Sequence, residues 1–170
     1  MMDVFKAGKF GLLGAVFAMT MGLGPASVSA ATATSTLTVT ATVLSSCLVA
    51  PATLAFGNYD PSATADTTAN TSIIVTCTGA ASGSVGLDQG ANGTSVTARQ
   101  MAFGAETLNY GLFQDSTLST NWGNTPGTNT MAFSTAALGN DALTVYGSIP
   151  AGQSPNAGAY TDTVNITVTY

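Results

Sequence analysis

Residues 35–47 read STLTVTATVLSSC, and in them Leu37, Val39, Ala41 and Val43 alternate with Thr36, Thr38, Thr40 and Thr42. A period of two places the four apolar side chains on one face of an extended strand. Thr and Val suit that backbone. No hairpin turn ties the stretch to a neighbouring strand, so its pairing partner is not local. The chain closes on a similar pattern. In Tyr160–Tyr170, YTDTVNITVTY, the side chains of Val164, Ile166, Val168 and Tyr170 share one face, and Thr163, Asn165, Thr167 and Thr169 share the other. Both ends of the exported chain are therefore amphipathic strands. An uncovered apolar edge is an aggregation hazard that a secreted protein must cover.

The opening strand follows a leader. Lys6 and Lys9 precede a run from Phe10 to Leu23 that is apolar or small apart from Thr20; Pro25 and Val28-Ser29-Ala30 follow. This order predicts a signal peptide over residues 1–30, cleaved after Ala30. The apolar run is shorter than the roughly 20 residues of a membrane span. Residues 31–170 are then one domain in length. Their acids are Asp60, Asp66, Asp88, Glu106, Asp115, Asp141 and Asp162, and their one cation is Arg99, so seven negatives and one positive leave −6. With so few cations, a nucleic-acid partner is excluded, and anionic membrane surfaces are disfavoured. Thr, Ser and Asn supply surface polarity instead, and the apolar content of 45% is too high for a disordered chain.

Cys47 and Cys77 are the two cysteines. Export and an even count predict a disulfide between them. A closed loop of about 30 residues would stabilise the fold by roughly 3.5 kcal/mol in the chain-entropy view. Cys47 directly follows the opening strand, and Cys77 ends the alternating run Ile73-Ile74-Val75-Thr76-Cys77. The bridge leaves residues 31–45 outside its loop.

Between and beyond the cysteines, short apolar runs are separated by Gly, Asn and Pro. Strands are expected over Thr53–Asp60, residues 71–78, Ser84–Asp88, residues 95–103, Leu108–Asp115 and Leu143–Ile149. Residues 62–70 read as a polar loop, and Asn121–Asn124 as a turn. The pattern predicts an all-β sandwich.

Chemistry is sparse. Residues 31–170 hold no His and no Lys, so the usual acid–base and nucleophilic groups are missing, and neither catalytic residues nor a cofactor is expected. Two thiolates without His make a poor zinc site. The spacing of Asp60 and Asp66 matches no calcium loop, and no metal site is expected. A carboxylate pair such as Asp60 with Asp115 is the remaining hydrolytic candidate. Trp122 and the tyrosines read as core and turn packing before they read as a binding patch. The lack of Lys also excludes a pilus cross-linked through lysine isopeptide bonds.

Several segments together resemble the spore coat protein U domain family. They are Leu54-Ala55-Phe56-Gly57-Asn58-Tyr59-Asp60-Pro61, Ile74–Cys77, Leu108–Asp115, Trp122-Gly123, Val145–Pro150 and Gly158–Val164. The family includes subunits of Csu-type, archaic chaperone–usher pili. The resemblance implies an incomplete immunoglobulin-like β-sandwich, completed by a donor strand from another subunit, and strand addition to a sheet edge is a recurrent recognition mode. On this reading residues 31–45 are a donor-strand extension and residues 46–170 the domain. Leu37, Val39, Ala41 and Val43 enter a neighbour's groove. That groove is bordered by the final strand, with Val164, Ile166, Val168 and Tyr170, and by the first strand after Cys47. The implied partners are other copies of the chain, a periplasmic chaperone and an outer-membrane usher. The implied setting is export to the periplasm and then a surface fibre serving adhesion and biofilm formation. A spore or cell coat protein of the same fold, and a monomeric binding module that folds residues 32–44 onto its own groove, are the alternatives.

Overall fold

The computed structural model describes residues 30–170, and the expected leader lies outside the described residues apart from Ala30. The chain divides into two units at Thr40. Residues 30–40 carry no strand and are exposed. The second unit, Ala41–Tyr170, holds eight strands: β1 (Cys47–Val49), β2 (Thr67–Cys77), β3 (Ala81–Leu87), β4 (Arg99–Phe103), β5 (Glu106–Phe113), β6 (Met131–Thr135), β7 (Asn140–Ile149) and β8 (Ile166–Thr169).

No helix occurs among the described residues. The strands form a five-stranded sheet in the order β1-β2-β7-β5-β4 and a three-stranded sheet in the order β6-β3-β8. All pairings are antiparallel, and the longest runs from Thr67↔Ile149 to Thr76↔Asn140. Alternation along each strand sends one side-chain set inward. Ile73, Val75, Leu108, Tyr110, Leu112, Leu143 and Val145 from the larger sheet meet Val85, Leu87 and Phe133 from the smaller in one core. The protein is an all-β sandwich.

Cys47 and Cys77 are disulfide-bonded. They face each other in the β1–β2 ladder. Trp122 is fully buried, and its indole Nε1 donates to the Val85 carbonyl at 2.8 Å. Gly83 allows close approach of the last strand, since a Cβ there would lie 2.0 Å from the Thr169 carbonyl oxygen.

The structure differs from the expected element bounds in several places, among them the strand expected over residues 95–103, which begins only at Arg99. The polar loop expected over residues 62–70 ends at Asp66, because β2 begins at Thr67. Its inward positions Thr67, Ala69 and Thr71 are small and half-buried, so a small-residue strand reads as a loop. The strand expected over Thr53–Asp60 has no ladder, although Leu54 and Phe56 do alternate inward. Residues 36–43 and 160–165 likewise form no regular strand. Conversely, β6 was not foreseen; its inward Phe133 and Thr135 are buried beside Met131, but five residues give a short signal.

Candidate functional site

The last strand has one hydrogen-bonded neighbour. β8 pairs with β3 and with no other strand among the described residues. Just before β8, the Asn165 carbonyl accepts from Asp88 N at 3.1 Å, and Asn165 N donates to Asp88 Oδ1 at 2.9 Å. The backbone groups of Asn165 therefore face β3. Alternation then turns the N–H and C=O groups of Val164, Ile166, Val168 and Tyr170 toward the open edge. The side chains of Val164, Ile166 and Val168 point inward yet are only half-buried.

Beside that edge a cleft of about 310 Å³ opens between the sheets. Val164, Ile166 and Leu87 form one wall, Ile73, Leu112 and Val145 the floor, and Leu54 and Phe56 the opposite bank. Phe56 meets Tyr110 edge-on, with ring centroids 6.2 Å apart. Among the described residues no backbone–backbone hydrogen bond reaches residues 51–58. Both banks thus carry unpaired backbone, and the gap between them is lined largely by apolar side chains.

The rim nearest Tyr110 is polar and fixed. Tyr110 Oη donates to Asp162 Oδ2 at 2.6 Å, and Asp162 Oδ1 accepts from Ala91 N and Asn92 N. Burial, then the bond to Asp162, pushes the Tyr110 hydroxyl pKa far up, so it stays a donor. Burial raises the Asp88 pKa, but bonds from Asn165 and Gly90 and the charge of Arg99 outweigh it and hold Asp88 below its ordinary value. Arg99 is 0% exposed and donates to four carbonyls: Asp88 and Leu87 at 2.8 and 2.9 Å, Val96 and Trp122 at 2.7 Å. Asp88 and Asp162 thus tether the lead-in to β8 to a loop built around this buried guanidinium.

Of the residues singled out for a groove, Val164 and Ile166 line the cleft; Val168 packs on the core beyond it, and Tyr170 is 58% exposed. Leu37, Val39 and Val43 are 88%, 81% and 89% exposed, and Ala41 is exposed as well. Met101 and Tyr160 also line the cleft and were not expected there. Nor was the burial of Arg99, for which a lone cation carries no pattern. The carboxylate candidates serve local turns: Asp60 Oδ1 accepts from Ser62 N and Ser62 Oγ, and Asp115 accepts from Thr117, Ser119 and Thr120. No group of three or more potential metal ligands occurs among the described residues.

The family described as Spore Coat Protein U domain matches residues 33–167. The chain belongs to the spore coat protein U domain family. Within that setting it is 36% identical over 131 residues to Protein U of Myxococcus xanthus, covering 69% of this chain and 72% of that protein. Its fold is similar to a chain in the crystal structure of a chaperone–tip adhesion subunit pre-assembly complex from the archaic chaperone–usher Csu pili of Acinetobacter baumannii. That similarity has a TM-score of 0.52 at 21% identity and covers 76% of this chain. The present chain spans 40% of the length of that chain. At this identity the likeness concerns fold. In this spore coat protein U domain, the apolar cleft beside the open edge of the terminal strand is the feature with the clearest capacity to bind.

Proposed function

We propose that the protein is a structural subunit of a chaperone–usher surface pilus, polymerised by donor-strand exchange. The observation that carries this reading is the cleft of about 310 Å³ beside the unpaired edge of β8. An added strand would satisfy the outward backbone groups of Val164–Tyr170 and fill the cleft with alternate side chains. Residues 32–44 have the required pattern, with Leu37, Val39, Ala41 and Val43 on one face. Burying the three larger side chains stabilises a junction by roughly 5–9 kcal/mol. A head-to-tail contact of this kind does not close, so it builds a filament.

On this reading a periplasmic chaperone holds the groove before assembly, an usher exports the subunit, and the fibre supports adhesion and biofilm formation. The test is an SDS gel of the exported protein, co-expressed with its chaperone and usher, unboiled beside boiled. The expected result is a ladder that survives detergent and collapses on boiling. A monomer band in both lanes from folded protein would overturn the reading.

The family's description as a spore coat domain favours a second setting, a coat assembled from the same fold. Immunogold labelling separates the two: pilus subunits label filaments, whereas coat subunits label a continuous surface layer.

A further inference from the structure

A second cleft, of about 380 Å³, lies on the outer face of the five-stranded sheet and shares only Tyr110 with the groove described above. We propose that it binds a hexose unit of a neutral polysaccharide. In β5, Asn109, Gly111 and Phe113 project to the same outer side, because alternate residues share a face. Gly111 stands opposite Ser148 of β7. A Cβ on Gly111 would fall 2.7 Å from the Phe113 ring, so the glycine leaves room for that ring to lie over the strand. The result is a floor with an aromatic surface on one side. Such a surface suits the apolar C–H face of a pyranose, as ligand clefts generally join an aromatic or apolar wall to a few placed polar groups.

The polar groups surround that floor. Asp66 Oδ2 accepts from Ser148 Oγ at 3.1 Å, and Asp66 Oδ1 accepts from Ala151 N at 3.0 Å. Each carboxylate oxygen keeps an accepting site for a sugar hydroxyl. Asn109 Oδ1 accepts from Gln100 Nε2 at 2.9 Å, and its Nδ2 has no partner among the described residues. Thr97 adds a hydroxyl on the far rim. Acceptor, donor and hydroxyl around one aromatic wall match a neutral polyol. A phosphate or carboxylate ligand would meet Asp66 with no exposed cation among the described residues to offset it, since Arg99, which lines the cleft, is buried and gives four of its five N–H groups to carbonyls.

The remaining wall is fixed rather than adaptable. Leu118 lies in the left-handed region at φ 58° and lines the cleft. Its loop is gathered by Asp115, which accepts from Thr117 N at 3.0 Å, Ser119 N at 3.2 Å and Thr120 N at 2.7 Å. A preformed wall lowers the ordering cost of binding. One small site of this kind binds weakly, and repetition of the site along an assembly would multiply it through effective concentration.

The test is saturation-transfer NMR on the purified full-length exported protein with the methyl glycosides of glucose, galactose, mannose and N-acetylglucosamine. Transfer to at least one glycoside is expected. Phe113→Leu keeps bulk but removes the aromatic face and should weaken binding about three- to tenfold, whereas Phe113→Tyr should retain it. Asn109→Asp keeps the oxygen that accepts from Gln100 and replaces the free donor; it should weaken binding about two- to tenfold. Because Asn109 is exposed, that variant stays informative even where Phe113→Leu impairs folding. Absence of transfer to all four glycosides, or equal transfer in Phe113→Leu and Asn109→Asp, would overturn the proposal.

Discussion

Arg99 carries the sole positive side chain of residues 31–170, yet it meets no solvent and no carboxylate directly. Its four hydrogen bonds all end on carbonyls at the ends of strands and loops, where backbone acceptors would otherwise be buried without donors. Replacing it with an isosteric apolar side chain removes all four donors at once. Arg99→Met is expected to lower stability by about 2–4 kcal/mol, read from the urea midpoint, because a buried acceptor left without a donor costs about 1–3 kcal/mol; an unchanged midpoint would mean that water satisfies those carbonyls. Two carboxylates, Asp88 beside Arg99 and Asp115 in its own turn, set the pH response. Asp88 is held below its ordinary value of 3.8 because Asn165, Gly90 and Arg99 outweigh burial, and Asp115 is held lower by Thr117, Ser119 and Thr120. A depressed carboxylate pKa contributes stability above the unfolded value and loses it as pH falls toward the folded one. Stability should therefore hold from neutral pH to about pH 5 and decline below about pH 4. Asp88→Asn should be less stable at neutral pH and show a shallower acid decline; parallel curves for variant and parent would contradict the role given to Asp88. None of this was legible in the sequence, since a single Arg and scattered Asp residues have no period to read.

Strands were legible where burial alternates strongly. Leu108, Tyr110 and Leu112 announce β5, and Val164, Ile166 and Val168 announce the face that ends in β8. The start of β2 was hidden because Thr67, Ala69 and Thr71 look as polar or small inside as out. Residues 53–60 failed in the opposite sense. Their side chains alternate as a strand's do, but a ladder also needs a partner backbone, and among the described residues none is supplied. The same logic covers residues 36–43, whose pattern is strand-like and whose described backbone forms no strand. A pattern without a partner is a testable state. Val39→Asp places a carboxylate where the pilus reading requires an apolar contact, and burying it unpaired is strongly unfavourable. The variant should fold, with the parent's urea midpoint, and form no detergent-resistant ladder; a normal ladder would refute the proposed register.

At the scale of the whole molecule, the division of labour places cohesion and surface chemistry on different parts of the sandwich. The disulfide, the shared core and the Arg99-centred loop hold the strands β1 to β8 together. One edge of β8 is open, and on the pilus reading the sandwich is short of a strand, a state close to an exposed, aggregation-prone edge. This separates the fibre reading from the self-contained binding module. If residues 31–44 complete their own domain, deleting them should unfold it. If they complete a neighbour, the deletion variant should remain folded when co-expressed with the chaperone, fail to polymerise, and accept a synthetic peptide of residues 35–44. Because that contact is apolar and residues 35–44 carry no charged side chain, peptide binding should change little between low salt and about 1 M, where charge interactions are screened within roughly 3 Å. Loss of the folded domain on deletion would assign the strand to its own sandwich, and strongly salt-dependent binding would locate the peptide outside the apolar cleft.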